Sequence, residues 1–182
     1  MNTSLNQISK FLSLVLRHQP ELIGLTLDQH GWANIQELIE KSHTSGRCPE
    51  LTHALIMQVC RDNDKQRFAL SEECLRIRAN QGHSISVDLA LPAKTPPNVL
   101  YHGTATRFLT QIMQEGLQPQ QRQHVHLSAT LETAHQVGIR HGKLATLQID
   151  SAAMQQAGHV FWQSANGVWL TLHVPVAFIQ QI

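Results

Sequence analysis

The stretch Leu91-Pro92-Ala93-Lys94-Thr95-Pro96-Pro97 constrains this chain more than any other. Its prolines lack backbone donors and fix φ, so neither a helix nor a sheet ladder can run through it. A chain of 182 residues is therefore expected to fold as two pieces, residues 1–90 and 99–182, joined by a linker over 91–98. A hydrophobic content of 42% is enough for packed cores. No apolar run approaches the roughly 20 residues of a membrane span. The N-terminus has no cationic start or small-residue cleavage site, and a cytoplasmic location is expected. Cys48, Cys60 and Cys74 are odd in number and lack Cys-x-x-Cys spacing, which argues for reduced thiols over disulfides or a thiolate zinc site.

In the first piece, Thr3 or Ser4 is placed to cap a helix whose Leu5, Ile8, Phe11, Leu12 and Val15 recur at helical spacing. Arg17 and His18 fall in its last turn, before Pro20. The carbonyl end of a helix attracts cations in any case, but an Arg and a His at the end of a rigid element are also half of a phosphate clamp. Residues 23–27 read as extended, Gly31-Trp32 as a turn with a core-seeking aromatic, and 35–42 and 52–61 as helices. Residues 67–70 and 75–79 form a hairpin pattern, with Arg67 at its start. Three helices and a hairpin make a winged-helix pattern, used on nucleic acid and in plain protein contacts alike. The polar turn Asn80-Gln81-Gly82-His83-Ser84 suits backbone contact with phosphate or ribose, and equally a connecting loop with a bulge.

In the second piece, the apolar run Val99-Leu100-Tyr101 ends in His102-Gly103-Thr104. A strand ending this way presents hydrogen-bonding side chains on either side of a glycine whose bare backbone can approach a planar ligand. A helix over 106–115 is expected to pack Phe108, Leu109, Ile112 and Met113, with Gly116 ending it. Residues 122–128 alternate, placing Arg122, His124, His126 and Ser128 along one side of a strand. That stripe fits the wall of a ligand cleft or a solvent-facing edge. A helix from Thr130 or Thr133 to His141 precedes a strand over 144–149, and Arg140-His141 lies between Gly138 and Gly142. Asn166-Gly167 separates two aromatic-rich strands, the strongest short-range hairpin signal in the chain. A net charge of +1 gives no broad electrostatic grip, so any nucleic acid must meet a local cluster. The chain has twelve histidines, but His124-x-His126 and the pair His135 and His141 are read as lacking acidic or cysteine companions at ligand spacing, and no metal is expected.

Taken together, these pieces resemble the NAD-dependent RNA 2′-phosphotransferases, which remove the splice-junction 2′-phosphate from tRNA. The resemblance rests on Lys10-Phe11-Leu12 with Leu16-Arg17-His18, Gly31-Trp32, Arg67-Phe68, residues 77–84, residues 100–104, Arg122 with residues 124–128, Val137-Gly138 with Arg140-His141-Gly142, and residues 166–171. It implies an α+β protein with an N-terminal winged-helix RNA lobe. The C-terminal lobe would be ADP-ribosyltransferase-like, a mixed or antiparallel β lobe with helices. The family's Arg-His-Arg-Arg tetrad maps onto Arg17, His18, Arg67 and Arg122. Its NAD-facing motif maps onto His102, Gly103 and Thr104, and Ser128, Arg140 and His141 carry over to the cofactor site as well. NAD as co-substrate, 2′-phosphorylated RNA as partner, a monomer, and neither metal nor membrane are the accompanying expectations.

The implied chemistry has two steps. The RNA 2′-phosphate attacks the ribose C1″ of NAD and expels nicotinamide, leaving ADP-ribosylated RNA. The ribose O2″ then attacks the phosphate, giving RNA with a free 2′-OH and ADP-ribose 1″,2″-cyclic phosphate. The leaving ring is cationic in NAD, so alignment matters more than acid assistance, and guanidinium forks align phosphates well. Two other readings remain: an ADP-ribosyltransferase that caps terminal phosphates of RNA or DNA and stops at the adduct, and a nucleic-acid binder with an NAD-sensing lobe.

Overall fold

The computed structural model describes residues 4–62 and 65–182; Thr3, the alternative first cap, lies outside them. The chain divides into two compact units, Met1–Ala90 and Leu91–Ile182. Among the described residues there are six α-helices and three small antiparallel sheets.

The first unit is built on α1 (Leu5–Arg17). Ser4 caps it in a reciprocal box: its hydroxyl accepts from Gln7 N–H at 3.3 Å, and Gln7 Oε1 accepts from Ser4 N–H at 2.8 Å. Ile8, Leu12, Val15 and Leu16 are fully buried, while Asn6 and Lys10 stay exposed on another face. Removing a buried leucine from such a face costs about 2–5 kcal/mol. Residues 23–27 form no strand. Pro20 instead opens a 3₁₀ turn, Pro20–Ile23, that Gly24 closes at φ +68°, because proline pre-sets the φ of a first helical turn. β1 (Ala33–Asn34), α2 (Ile35–Thr44, capped by Asn34), α3 (His53–Arg61, capped by Thr52), β2 (Phe68–Leu70) and β3 (Arg76–Ala79) follow. The strands order β1-β3-β2. Trp32 is half-buried rather than in the core. Its ring faces the guanidiniums of Arg78 at 4.6 Å and Arg76 at 5.6 Å. These alternate with buried Ile77 along β3, so the face that meets Trp32 offers cations instead of aliphatic carbon.

In the second unit, Lys94 N–H donates to Phe161 O at 2.8 Å and Ser151 Oγ donates to Pro97 O at 2.6 Å, so the proline-rich stretch runs along this unit. β4 (Val99–Ala105) leads through a 3₁₀ turn, Thr106–Phe108, into α4 (Leu109–Glu115). Leu109 and Ile112 pack on the core, but Phe108 and Met113, expected to pack with them, are exposed. β5 is only Val125–Leu127. Residues 120–123 form a turn with Gln120 at φ +56°, so Arg122 precedes the strand instead of lying on it. α5 (Leu131–Gly138) is capped by Thr130, and a 3₁₀ turn, Ile139–His141, follows. β6 (Leu144–Asp150), α6 (Ser151–Gln156), β7 (Phe161–Gln163), β8 (Trp169–Thr171) and β9 (Ile179–Gln181) complete the unit. Two sheets result, β4-β6-β9 and β5-β8-β7. They are tied where Tyr101 and Ser128 exchange backbone hydrogen bonds of 2.9 and 2.8 Å, which sets His102 beside β5.

Candidate active site

In the first unit, the loop over residues 80–84 gathers three of the tetrad positions. Ser84 N–H donates to Arg17 O at 3.0 Å, satisfying a carbonyl at the open end of α1. The Ser84 hydroxyl lies 2.9 Å from His18 Nδ1. On the loop's other side, Asn80 N–H donates to Arg67 O at 2.9 Å and the Asn80 amide donates to Gln66 O at 2.5 Å. Arg17 Nη2 makes a longer contact, 3.4 Å, to the same Arg67 carbonyl. Gly82 sits at φ +88°, and the place its Cβ would occupy is 3.7 Å from Arg17 Nη1, so the guanidinium lies along a bare backbone turn. The glycine-centred loop thus braces Arg17 and His18. His18 and Arg67 line a cleft of about 340 Å³ whose other wall is the polar face of α1, with Asn6, Lys10 and Ser13. That helix contains no Asp or Glu, so the cleft wall it supplies does not repel an anion.

In the second unit, His102 and Thr104 project from one side of β4 and Gly103 from the other. The Gly103 side is filled by protein: a Cβ there would lie 1.7 Å from Ala134 O of α5. The missing side chain lets α5 pack on β4, a packing use of this glycine beside the ligand approach expected of its backbone. His102 Nδ1 is 3.0 Å from His126 O. A carbonyl only accepts, so Nδ1 carries the proton and Nε2 is left as an acceptor. Burial pushes the His102 pKa below its ordinary value, the bond to His126 O works against this, and the charges of His141 and Arg122 push it further down. Arg122 Nη1 lies 3.1 Å from His126 Nδ1. Arg122 is exposed by area, yet enough packed atoms surround its guanidinium for desolvation to lower its pKa; it stays charged at neutral pH.

His102 and Arg122 therefore both meet His126, and Ser128 pairs through its backbone with Tyr101, the residue before His102. Thr104 is buried, while Arg140 and His141 are exposed in the 3₁₀ turn after α5. His124, also on the stripe, instead packs edge-on against Trp162 with ring centres 5.3 Å apart. Among the described residues no group of three or more His, Cys, Asp or Glu is arranged to hold a metal. The sequence placed Ser84 in a polar turn and His126 on the stripe of a possible cleft wall; that Ser84 meets His18 and that His126 meets both Arg122 and His102 was not foreseen. The alternation of residues 124–128 was the available signal for His126.

Residues 3–173 match the family described as RNA 2'-phosphotransferase, Tpt1 / KptA family. A probable RNA 2'-phosphotransferase of Hahella chejuensis is 55% identical over 179 residues, 98% of this chain and 95% of the relative. One of Acaryochloris marina is 53% identical, covering 100% of this chain and 99% of the relative. One of Pectobacterium carotovorum is 55% identical, over 98% and 95%. With near-complete coverage on both sides, the chain belongs to the RNA 2'-phosphotransferase, Tpt1 / KptA family.

Proposed function

We propose that this protein is an NAD-dependent RNA 2′-phosphotransferase that moves an internal 2′-phosphate from RNA to NAD in the two steps set out above. The observation that carries the reading is the cluster of Arg17, His18 and Arg67 around the loop 80–84, in a chain whose relatives, matched over nearly their full length, are named probable RNA 2'-phosphotransferases. The first unit, three α-helices and a hairpin, is the winged-helix RNA lobe. The second, two small antiparallel sheets with helices, is the ADP-ribosyltransferase-like NAD lobe.

The residues of the second unit fit NAD chemically. The nicotinamide ring is cationic, so a histidine beside it serves better neutral than charged, and burial holds His102 on the neutral side. Arg140 and His141, exposed at the end of the α5 segment, suit a diphosphate. NAD supplies an electrophilic ribose carbon whose leaving group needs no acid. Arg17 and Arg67 hold and orient the 2′-phosphate, and His18, fixed through Ser84, donates to a phosphate oxygen. Arg122 stabilises the charge that builds on phosphate in the second step.

The test is to mix the protein with NAD and an oligoribonucleotide carrying one internal 2′-phosphate, following nicotinamide release and the mass of the RNA. Loss of phosphate together with formation of ADP-ribose cyclic phosphate is expected. A persistent adduct on the RNA would favour end-capping ADP-ribosyl transfer, and binding with neither product would favour a sensor.

A further inference from the structure

We propose that His126 is the positioning residue of the second unit, its ring fixing Arg122 and its carbonyl fixing His102. This rests on the reading above, in which Arg122 serves the phosphate step and His102 the NAD step. His126 is the middle residue of β5, paired with Leu170 of β8 and flanked by buried Val125 and Leu127, so its backbone is pinned. Arg122 has no such support. It lies in a turn closed by its own N–H to Pro119 O at 3.0 Å, and a guanidinium on a turn gives up side-chain freedom whenever it must hold one pose. The 3.1 Å contact from Nη1 to His126 Nδ1 supplies that hold.

The donor inventory fixes the state of the ring. Arginine can only donate, so His126 Nδ1 must accept, and the imidazole is neutral with its proton on Nε2. His102 takes the opposite tautomer, donating from Nδ1 to the His126 carbonyl. One strand residue thereby sets the pose of a cation and the tautomer of a second histidine. A carboxylate at this place would also grip Arg122, but it would offset the positive charge that a phosphate dianion requires. A neutral ring orients the guanidinium and leaves its charge and its remaining donors available.

The experiment compares His126→Leu and His126→Asn with the intact enzyme, separating nicotinamide release in the first turnover from breakdown of the ADP-ribosylated RNA. His126→Leu keeps bulk and removes the acceptor, and breakdown is expected to slow by about 10- to 100-fold, the worth of a charge-assisted hydrogen bond. Nicotinamide release should change far less, because His102 is held by a main-chain oxygen that the substitution leaves in place. His126→Asn, whose side-chain oxygen can stand near the place of Nδ1, should recover most of the loss; a merely structural role would not sort the two variants this way. Breakdown at the wild-type rate in His126→Leu, or no recovery in His126→Asn, would overturn the proposal. Arg122→Ala distinguishes the levels: if it too breaks down the adduct normally, the assignment of Arg122 to that step has failed; if it is slow while His126→Leu is not, only the role of His126 has.

Discussion

Replacing Gly103 by alanine separates two uses of a glycine, one for a ligand and one for the fold. A Cβ on Gly103 would lie 1.7 Å from Ala134 O, 2.6 Å from Ala134 C and 2.9 Å from Gly138 N. All three are main-chain atoms of α5, so no rotamer change relieves the clash. Ordinary contact begins near 3.4 Å, and 3.4 − 1.7 leaves about 1.7 Å by which helix and strand must separate. Gly138 faces the same seam, where a Cβ would lie 2.9 Å from Gly103 C, and α5 cannot slide along without creating a second clash. Overpacking that flexible side chains absorb costs about 1–3 kcal/mol; backbone against backbone belongs at or above the top of that range. For a unit of this size, ~3 kcal/mol lowers Tm by about 12 °C or more. The assay is thermal unfolding followed by circular dichroism, with nicotinamide release measured below the transition. A Gly103→Ala protein that melts within ~3 °C of wild type but fails to use NAD would refute the packing argument and restore the ligand one.

Lys10→Ala should weaken RNA binding through the cleft it shares with His18 and Arg67; losing one phosphate contact would reduce the salt slope of log Kd by about 0.7 on single-stranded RNA, and an unchanged slope would remove Lys10 from the RNA path. Ser84→Ala removes the hydroxyl beside His18 Nδ1 and is expected to slow turnover by about 2- to 10-fold, the worth of one neutral hydrogen bond, with Tm nearly unchanged; steady-state rates and a melting curve check both halves. The depressed pKa of His102 means the unfolded chain binds its proton more readily, so its contribution to stability is fully present above about pH 6.5 and is lost as pH falls below that value. His102→Gln should therefore flatten the acid side of the stability–pH curve, read as Tm between pH 5 and 8, and an equally steep curve would refute this. His126→Asp should hold Arg122 at least as firmly as the wild type while breaking down the adduct more slowly than His126→Asn; equal rates would mean that the neutrality of the residue-126 contact is immaterial.

Much of the architecture was legible because its signals are local. Ser4, Thr52 and Thr130 cap the helices that the apolar spacing required, and the pairs β2–β3 and β7–β8 fall where turn residues interrupt alternation. What escaped were short elements whose existence depends on partners: β1 pairs only two residues with β3, and β9 buries a single residue against β6. Residues 23–27 and Trp32 went astray for opposite reasons. Pro20 and Gly24 imposed a 3₁₀ turn on an apolar run, and two arginines from β3 met a tryptophan that its hydrophobicity alone would have placed inside. Residue type and position pointed to Arg17, His18, His102 and the stripe leading to Ser128, and the resemblance added Arg67, but strand parity misplaced Arg122, which precedes β5. None of these reveals which side of Gly103 faces a helix, that Ser84 returns to α1, or that His126 lies between Arg122 and His102.

Those tertiary contacts share a chemical character that bears on how a phosphate is received. His18 is met by a serine hydroxyl, Arg17 by the Arg67 carbonyl and Arg122 by an imidazole nitrogen, all of them neutral. At an effective dielectric near 20, a carboxylate about 4 Å from a guanidinium attracts it by roughly 4 kcal/mol, and an arriving phosphate would have to compete with that attraction. Neutral acceptors restrict where a guanidinium points without opposing the anion it is meant to hold. Under the proposed function, neutral partners would give the alignment that displacement at a ribose carbon requires and would leave positive charge for a second step in which negative charge builds on phosphate oxygens.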